Sequence, residues 1–248
     1  MDKSLKVFKF QLKESIKPTM TFYGIFLFVM LTLVYLSKNT NGSVSSSGIE
    51  LSTAIFLFVC GLNSFKSQFY FAQGNNISRK SFLKGTVLYG LVFSGILPVI
   101  DIIINRSFNL VIPCPMNYDM IYGSIRTMSF TQGMSSFVVD NSIQTLMGTY
   151  LFTTAAYVFV FMLGLVITML MFKLNKIGKL IFWGSSAVLF IYTNSVSLIP
   201  NSFWVFVQNA FGWNTRNPYA GVSSLILLSI VLVLGQYLLI RRTEANKN

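Results

Sequence analysis

Histidine is absent from the chain, and only 10% of its residues are charged. Without histidine there is no imidazole for proton transfer near neutral pH and no His ligand for zinc. Cysteine occurs twice, as Cys60 inside an apolar run and Cys114 in a long loop, so the two are not expected to bridge or to act in redox chemistry. A Walker A motif is missing as well. The nearest glycine-containing basic stretch, GNNISRKS at Gly74–Ser81, lacks the Gly-Lys pair that holds nucleotide phosphates. No two apolar segments carry facing aspartates, which removes intramembrane proteolysis of the aspartyl kind. The chain is therefore expected not to be an enzyme, and to bind no metal or cofactor of its own.

Scarce charge also excludes a water-soluble globule. Soluble domains carry roughly a quarter charged residues, whereas 53% of this chain is hydrophobic and its mean hydropathy is +0.63. A helix crossing a bilayer needs about 20 mostly apolar residues. Six segments qualify: Thr19–Leu36, Ile49–Phe65, Phe82–Ile104, Thr145–Phe172, Leu180–Ile199 and Tyr219–Ile240. The expected fold is an all-α polytopic membrane protein, residues 1–248 forming one transmembrane domain with six helical spans. The charged stretch before the first span runs into apolar sequence with no small-residue cleavage site, so that span is expected to be retained rather than removed as a signal peptide.

The net charge of +12 would suggest nucleic acid if the basic residues were scattered. They are not. Fifteen of the 19 lie before span one, between spans two and three, between spans four and five, or after span six. The remaining loops hold only Lys38, Arg106, Arg126 and Arg216. By the positive-inside rule both termini and the two short basic loops face the cytoplasm. The charge reports topology, and no nucleic-acid partner is expected.

Residues 1–18 are expected to form a cytoplasmic amphipathic helix lying on the inner membrane surface. Leu5, Phe8, Leu12 and Ile16 recur at steps of three and four, with Lys6, Lys9, Lys13 and Lys17 on another face. Outside, the stretch from Asn105 to Gln144 mixes Met116, Met120, Ile121, Met128, Phe130 and Met134 with polar residues and predicts short helices. Ser202–Phe211 has room for one more short helix, interfacial or re-entrant, with Trp204 among aromatics suited to headgroup level.

Asp101 is the one acid clearly inside an apolar segment. It lies 17 residues beyond Lys84, about 25 Å along a helix, close to the outer end of its span and three residues after Pro98. Such a carboxylate faces a cavity or partner, or reaches the outer headgroups. Polar residues within the spans are otherwise sparse, and Asp101, Tyr192, Asn194 and Trp204 are the candidates for a translocation pathway, expected near spans two and five.

Between spans two and three, FKSQFYFAQGNNISRKSFLK at Phe65–Lys84 begins as a continuation of span two. It turns at Gly74-Asn75-Asn76 and restarts with Ser78 as a helix cap before Arg79 and Lys80. Helix, polar turn and basic helix start make a projecting knuckle. The run FAQGNNISRKSFLKG resembles the cytoplasmic segment of ABC-2 type transporter permeases of Gram-positive bacteria, matching at Phe71, Gly74, Ser78, Arg79, Lys80 and Phe82. It departs in having two asparagines after the glycine.

The resemblance implies a type V exporter-like subunit whose coupling segment (Phe69, Phe71, Gln73, Gly74, Asn75, Asn76, Ser78, Arg79, Lys80, Phe82) docks on a separate ABC ATPase that binds ATP and Mg. It also implies pairing with a second permease, identical or a sister chain, in the bacterial cell membrane. Size and layout are similar to exporters of phenol-soluble modulins and antimicrobial peptides, which implies an amphipathic or hydrophobic peptide as substrate. The alternatives are an immunity protein, sensor or channel without an ATPase, or an ABC-2 exporter of lipid or polysaccharide.

Overall fold

The computed structural model describes residues 2–39, 48–112, 114–123, 140–195 and 201–241. The elements among them are helices: α1 (Lys3–Asn39), α2 (Ile49–Asn63), α3 (Lys66–Gly74), α4 (Arg79–Phe108), α5 (Asn117–Ile121), α6 (Ile143–Lys173), α7 (Lys176–Ser195), α8 (Asn201–Ala210) and α9 (Pro218–Arg241). In hydrocarbon every backbone amide needs an internal partner, which leaves the helix as the form for isolated apolar runs. Five stretches are long and apolar enough to cross a membrane: α1, α2 with α3, α4, α6 and α9. The expected six are thus five among the described residues. Helix α7 does not join them, because Lys176, Lys179 and Asn194 dilute its 20 residues. The end of the predicted fifth span, 196–199, lies outside the described residues, as do Met128, Phe130 and Met134. Within Asn105–Gln144, where short helices are expected, the described residues hold α5, and the short helix expected over Ser202–Phe211 is present as α8.

The expected break between an amphipathic segment and span one does not occur. Helix α1 runs unbroken for 37 residues, through Pro18. Its lower half does not lie apart on a surface but runs along α4. A Cβ on Gly85 would meet the Ser4 carbonyl oxygen, and Gln11 Nε2 donates to Thr86 Oγ1 at 3.0 Å. Ser15 Oγ sits 2.5 Å from Tyr89 Oη. The buried face is Ser4, Val7 and Gln11, while Leu5 and Ile16 of the apolar stripe stay exposed. Small and polar groups allow close contact with α4, and the stripe is split, with Phe8 and Leu12 half-buried against the core.

Helix α6 is the centre of the bundle and packs on α2, α4 and α9. It crosses α2 at Gly61 and Gly164, where the two backbones almost touch. A Cβ at Gly61 would lie 2.4 Å from the Phe161 carbonyl oxygen, and one at Gly164 2.4 Å from that of Phe58. Thr168 Oγ1 donates to the Leu62 carbonyl at 2.7 Å beside this crossing. Gln236 on α9 donates to the Met162 carbonyl at 3.0 Å, so a polar contact ties α9 to α6 within apolar surroundings.

One end of the bundle gathers several chain segments. Lys3 Nζ donates to the Asn76 carbonyl (2.9 Å), and Arg79 Nη1 to the Arg241 carbonyl (3.4 Å). Phe172, next to Lys173, lies edge-on to Phe65 at 5.5 Å. The start of α1, the α3–α4 turn and the ends of α6 and α9 therefore share one end, where Lys and Arg concentrate. The opposite end carries Asn105, Arg106, Cys114 and Asp119.

Candidate functional site

The α3–α4 knuckle stands at the basic end. Helix α2 stops at Asn63, and after a break at Ser64 and Phe65 the chain resumes as α3. Stacked Phe65 and Phe69 (5.0 Å) meet Phe82 and Phe172 edge-on. Such aromatic pairs stabilise beyond their buried area. Phe69 and Phe82 are buried, so within the candidate coupling set they brace the knuckle from inside and offer no surface to a partner. Phe71 is 55% exposed and stacks on Phe10 of α1.

The turn itself is closed by its own side chains. Asn75 Nδ2 donates to the Phe71 carbonyl and Gln73 Nε2 to that of Ile77. The left-handed residue is Asn76 (φ 53°), not Gly74; asparagine tolerates this region better than most residues. This is how the second asparagine is accommodated. Ser78 Oγ accepts from the Ser81 amide at 3.1 Å, giving the helix cap expected for α4. Arg79 is engaged with Arg241, whereas Lys80 is exposed.

A second cluster lies deep in the bundle. Asp101 is fully buried, which overturns the reading that it reaches outer headgroups. Its Oδ1 accepts from Tyr23 of α1 (2.8 Å) and Thr53 of α2 (3.1 Å), and its Oδ2 from Tyr157 of α6 (2.5 Å). One carboxyl on α4 thus joins four helices. Tyr157 Oη also lies 3.2 Å from the Glu50 carbonyl oxygen. Among the described residues no lysine or arginine pairs with Asp101.

Above it, Glu50 is 3% exposed: its Oε1 accepts from the Asn117 amide at 2.9 Å, and its Oε2 has no hydrogen-bond partner among the described residues. Arg106 of α4 grips Asp119 of α5 with two nitrogens at 3.3 and 3.4 Å. Asn105 Nδ2 donates to the Cys114 carbonyl at 2.8 Å, and the Cys114 amide to Asn109. These bonds tie the segment leading into α5 across the ends of α2 and α4. Tyr122 closes the far side by donating to the Phe211 carbonyl at 2.7 Å, and burial pushes its hydroxyl up to about 12. Asp101 therefore lies beneath a pinned cover.

Sequence reasoning missed Glu50, Tyr157, Tyr23 and Thr53. Glu50 stands at the head of an apolar segment beside a polar loop, where an acid is ordinary, and tyrosines in a chain with 11 of them carry no mark. Of the other expected pathway residues, Trp204 sits exposed on α8. Tyr192 and Asn194 fall on α7, whose described side chains stop at Val188, so their lining role lies outside the described residues. A cavity of about 510 Å³ opens between α4, α6 and α9, lined by residues such as Leu91, Leu151, Met162 and Ile230 with Thr154 and Ser229. It lies between the third, fourth and sixth predicted spans rather than beside the second and fifth.

At the start of α6, Asp140 is a local clasp. The Thr145 hydroxyl, the Ser142 amide and the Ser142 hydroxyl all donate to it, and together they hold its carboxyl below the usual range. A depressed carboxylate stabilises the fold above its unfolded value, about 3.9, and that contribution fades as pH falls through the lower folded value. The protection factors of amides 143–146 are expected to fall in acid, and Asp140→Asn to lower them at pH 7; unchanged protection at pH 7 contradicts the clasp.

No family model matches the chain, and neither the curated proteins nor the solved structures yield a match.

Proposed function

We propose that the chain is the membrane-embedded permease subunit of an ATP-driven ABC-2 type exporter, coupled through the α3–α4 knuckle to a separate ATPase. The observation that carries this reading is the build of the knuckle. A short helix and a capped helix start are braced from within by Phe65, Phe69, Phe82 and Phe172, and present Phe71, Asn75 and Lys80 outward. A rigid projection joined directly to α4 can pass a push from a partner into the bundle, whereas a flexible hairpin would absorb it.

By the positive-inside rule the end bearing the knuckle, the start of α1 and the end of α9 faces the cytoplasm. The ATPase supplies ATP and Mg, and a second permease completes the pathway in the cell membrane. The apolar α4–α6–α9 cavity suits the hydrophobic side of an amphipathic peptide better than a sugar chain, which needs aligned hydroxyl partners.

Lys80→Glu is the sharpest variant, because Lys80 is exposed while Arg79 also holds the end of α9. With a co-expressed partner ABC ATPase, Lys80→Glu combined with Phe71→Ala is expected to lower co-purification and ATP turnover at least tenfold while the bundle stays folded. Full assembly in that variant would refute the coupling role. A channel or sensor without an ATPase draws on a different observation, the buried Asp101–Glu50 region. That reading predicts that no ATPase co-purifies with the unaltered chain.

A further inference from the structure

A cavity of about 290 Å³ lies between the lower part of α1 and α3, and shares Phe71 and Asn75 with the face the knuckle presents outward. Its walls include Val7, Phe10, Phe71 and Ile77, and two lysines, Lys3 and Lys6, stand on it from one side. Gln11 lies at its floor and is 1% exposed; its Nε2 is spent on Thr86 and Gln68, while its Oε1 has no hydrogen-bond partner among the described residues. The cavity thus combines two cations, an apolar wall and a buried acceptor.

The depth of the cavity is set by the helix it leans on. Ser4 and Val7 pack at Gly85, and Gln11 at Thr86. Lys80 and Lys84 precede that level on α4, and the apolar run of α4 follows it. Lys3 and Lys6 therefore sit where charged sequence gives way to hydrocarbon-compatible sequence, the level of lipid headgroups. Among the described residues neither lysine is ion-paired: Asp2 caps the start of α1 through the Ser4 amide and hydroxyl, and Glu14 accepts from Gln68. Lys3 gives one bond to the Asn76 carbonyl and keeps two donors.

We propose that this cavity binds the headgroup of an anionic phospholipid, with Lys3 and Lys6 on the phosphodiester and Phe10, Val7 and Phe71 against its apolar part. The lipid would bridge α1 and α3, two elements that otherwise meet through the Phe10–Phe71 stack, the Gln11–Gln68 bond and the Glu14–Gln68 bond. Its occupancy would therefore stiffen the link between the first span and the knuckle. The inference rests only on the chain being embedded in a membrane and stands whether or not an ATPase docks below.

The test is native mass spectrometry of the purified full chain from detergent, titrated in parallel with phosphatidylglycerol, phosphatidylcholine and glycerol phosphate. One phosphatidylglycerol is expected to be retained per chain, with phosphatidylcholine bound at least tenfold more weakly. Each basic residue near an anionic surface contributes about 1 kcal/mol, so Lys3→Gln with Lys6→Gln is expected to weaken retention about thirtyfold. Lys9→Gln with Lys13→Gln makes the same change in net charge outside the cavity and is expected to leave retention within about twofold. Lys6→Gln alone, at an exposed side chain with no bond among the described residues, is expected to fall between. Equal losses in the two double variants, or equal retention of the two lipids, would overturn the site. Glycerol phosphate binding as tightly as the lipid would show a soluble phosphate site and overturn the lipid assignment.

Discussion

Gly61→Val or Gly164→Val is expected to prevent the bundle from assembling, with the variant recovered as aggregate rather than as a slightly weakened monomer. The two glycines lie in the same crossing of α2 and α6. A Cβ at Gly61 meets the Phe161 carbonyl oxygen at 2.4 Å and the Leu165 amide nitrogen at 3.2 Å, and a Cβ at Gly164 meets the Phe58 carbonyl oxygen and the Leu62 nitrogen. These are backbone atoms of long helices and cannot step aside as a flexible side chain would. The helices must separate, losing the Thr168–Leu62 bond and the surrounding packing. Overpacking costs about 1–3 kcal/mol where side chains can yield, and about 3 kcal/mol or more is expected here. Size-exclusion profiles and thermal melts in detergent measure it. Gly24→Val and Gly235→Val are the matched controls, because nothing lies within 4 Å of a Cβ at either. A Gly61→Val protein melting like those controls would show that the helices do not approach this closely.

Asp101→Leu is expected to destabilise the fold by about 2–4 kcal/mol. The substitution leaves the hydroxyls of Tyr23 and Thr53 without their acceptor, while Tyr157 keeps the Glu50 carbonyl as a weaker one. Asp101→Asn retains one acceptor oxygen in the same shape and is expected to lose about half as much. Tyr157→Phe, which removes one donor, should cost about 1 kcal/mol. Detergent-to-SDS unfolding of the three variants gives the order. If Asp101→Leu proved as stable as the unaltered chain, Asp101 would not be clasping the four helices. In the transport reading Asp101→Asn also impairs export at unchanged expression, and normal export there would remove Asp101 from the pathway.

The two predictions differ in how far the sequence foretold them. Asp101 stood out as a lone acid in an apolar run, so its cost in lipid was visible. Its partners were not. Tyr23, Thr53 and Tyr157 lie 78, 48 and 56 residues away, on three other helices. Gly61 and Gly164 were still less legible, since a glycine in an apolar helix has the same local pattern whether it faces lipid, as open Gly235 does, or another backbone. In the knuckle the polar turn and the Ser78 cap were readable because capping is a property of neighbouring residues. That Phe69 and Phe82 turn inward and Phe71 outward depended on Phe172 arriving from α6.

Sequence alone determined what depends on composition along one dimension: a helical chain built for lipid, the placing of most apolar runs, and the grouping of positive charge into a few segments. Transfer of apolar surface and of charge is nearly additive along a chain, so short windows suffice to read it. Only the tertiary structure decided that α1 runs straight through Pro18 along α4, that the apolar stripe on its lower half is split between the core and the outside, and that Asp101 lies beneath a cover made by Glu50, Arg106 and Asp119. Those outcomes turn on which faces fit at atomic distances. Shape complementarity between helices far apart in sequence has no signature in either member alone.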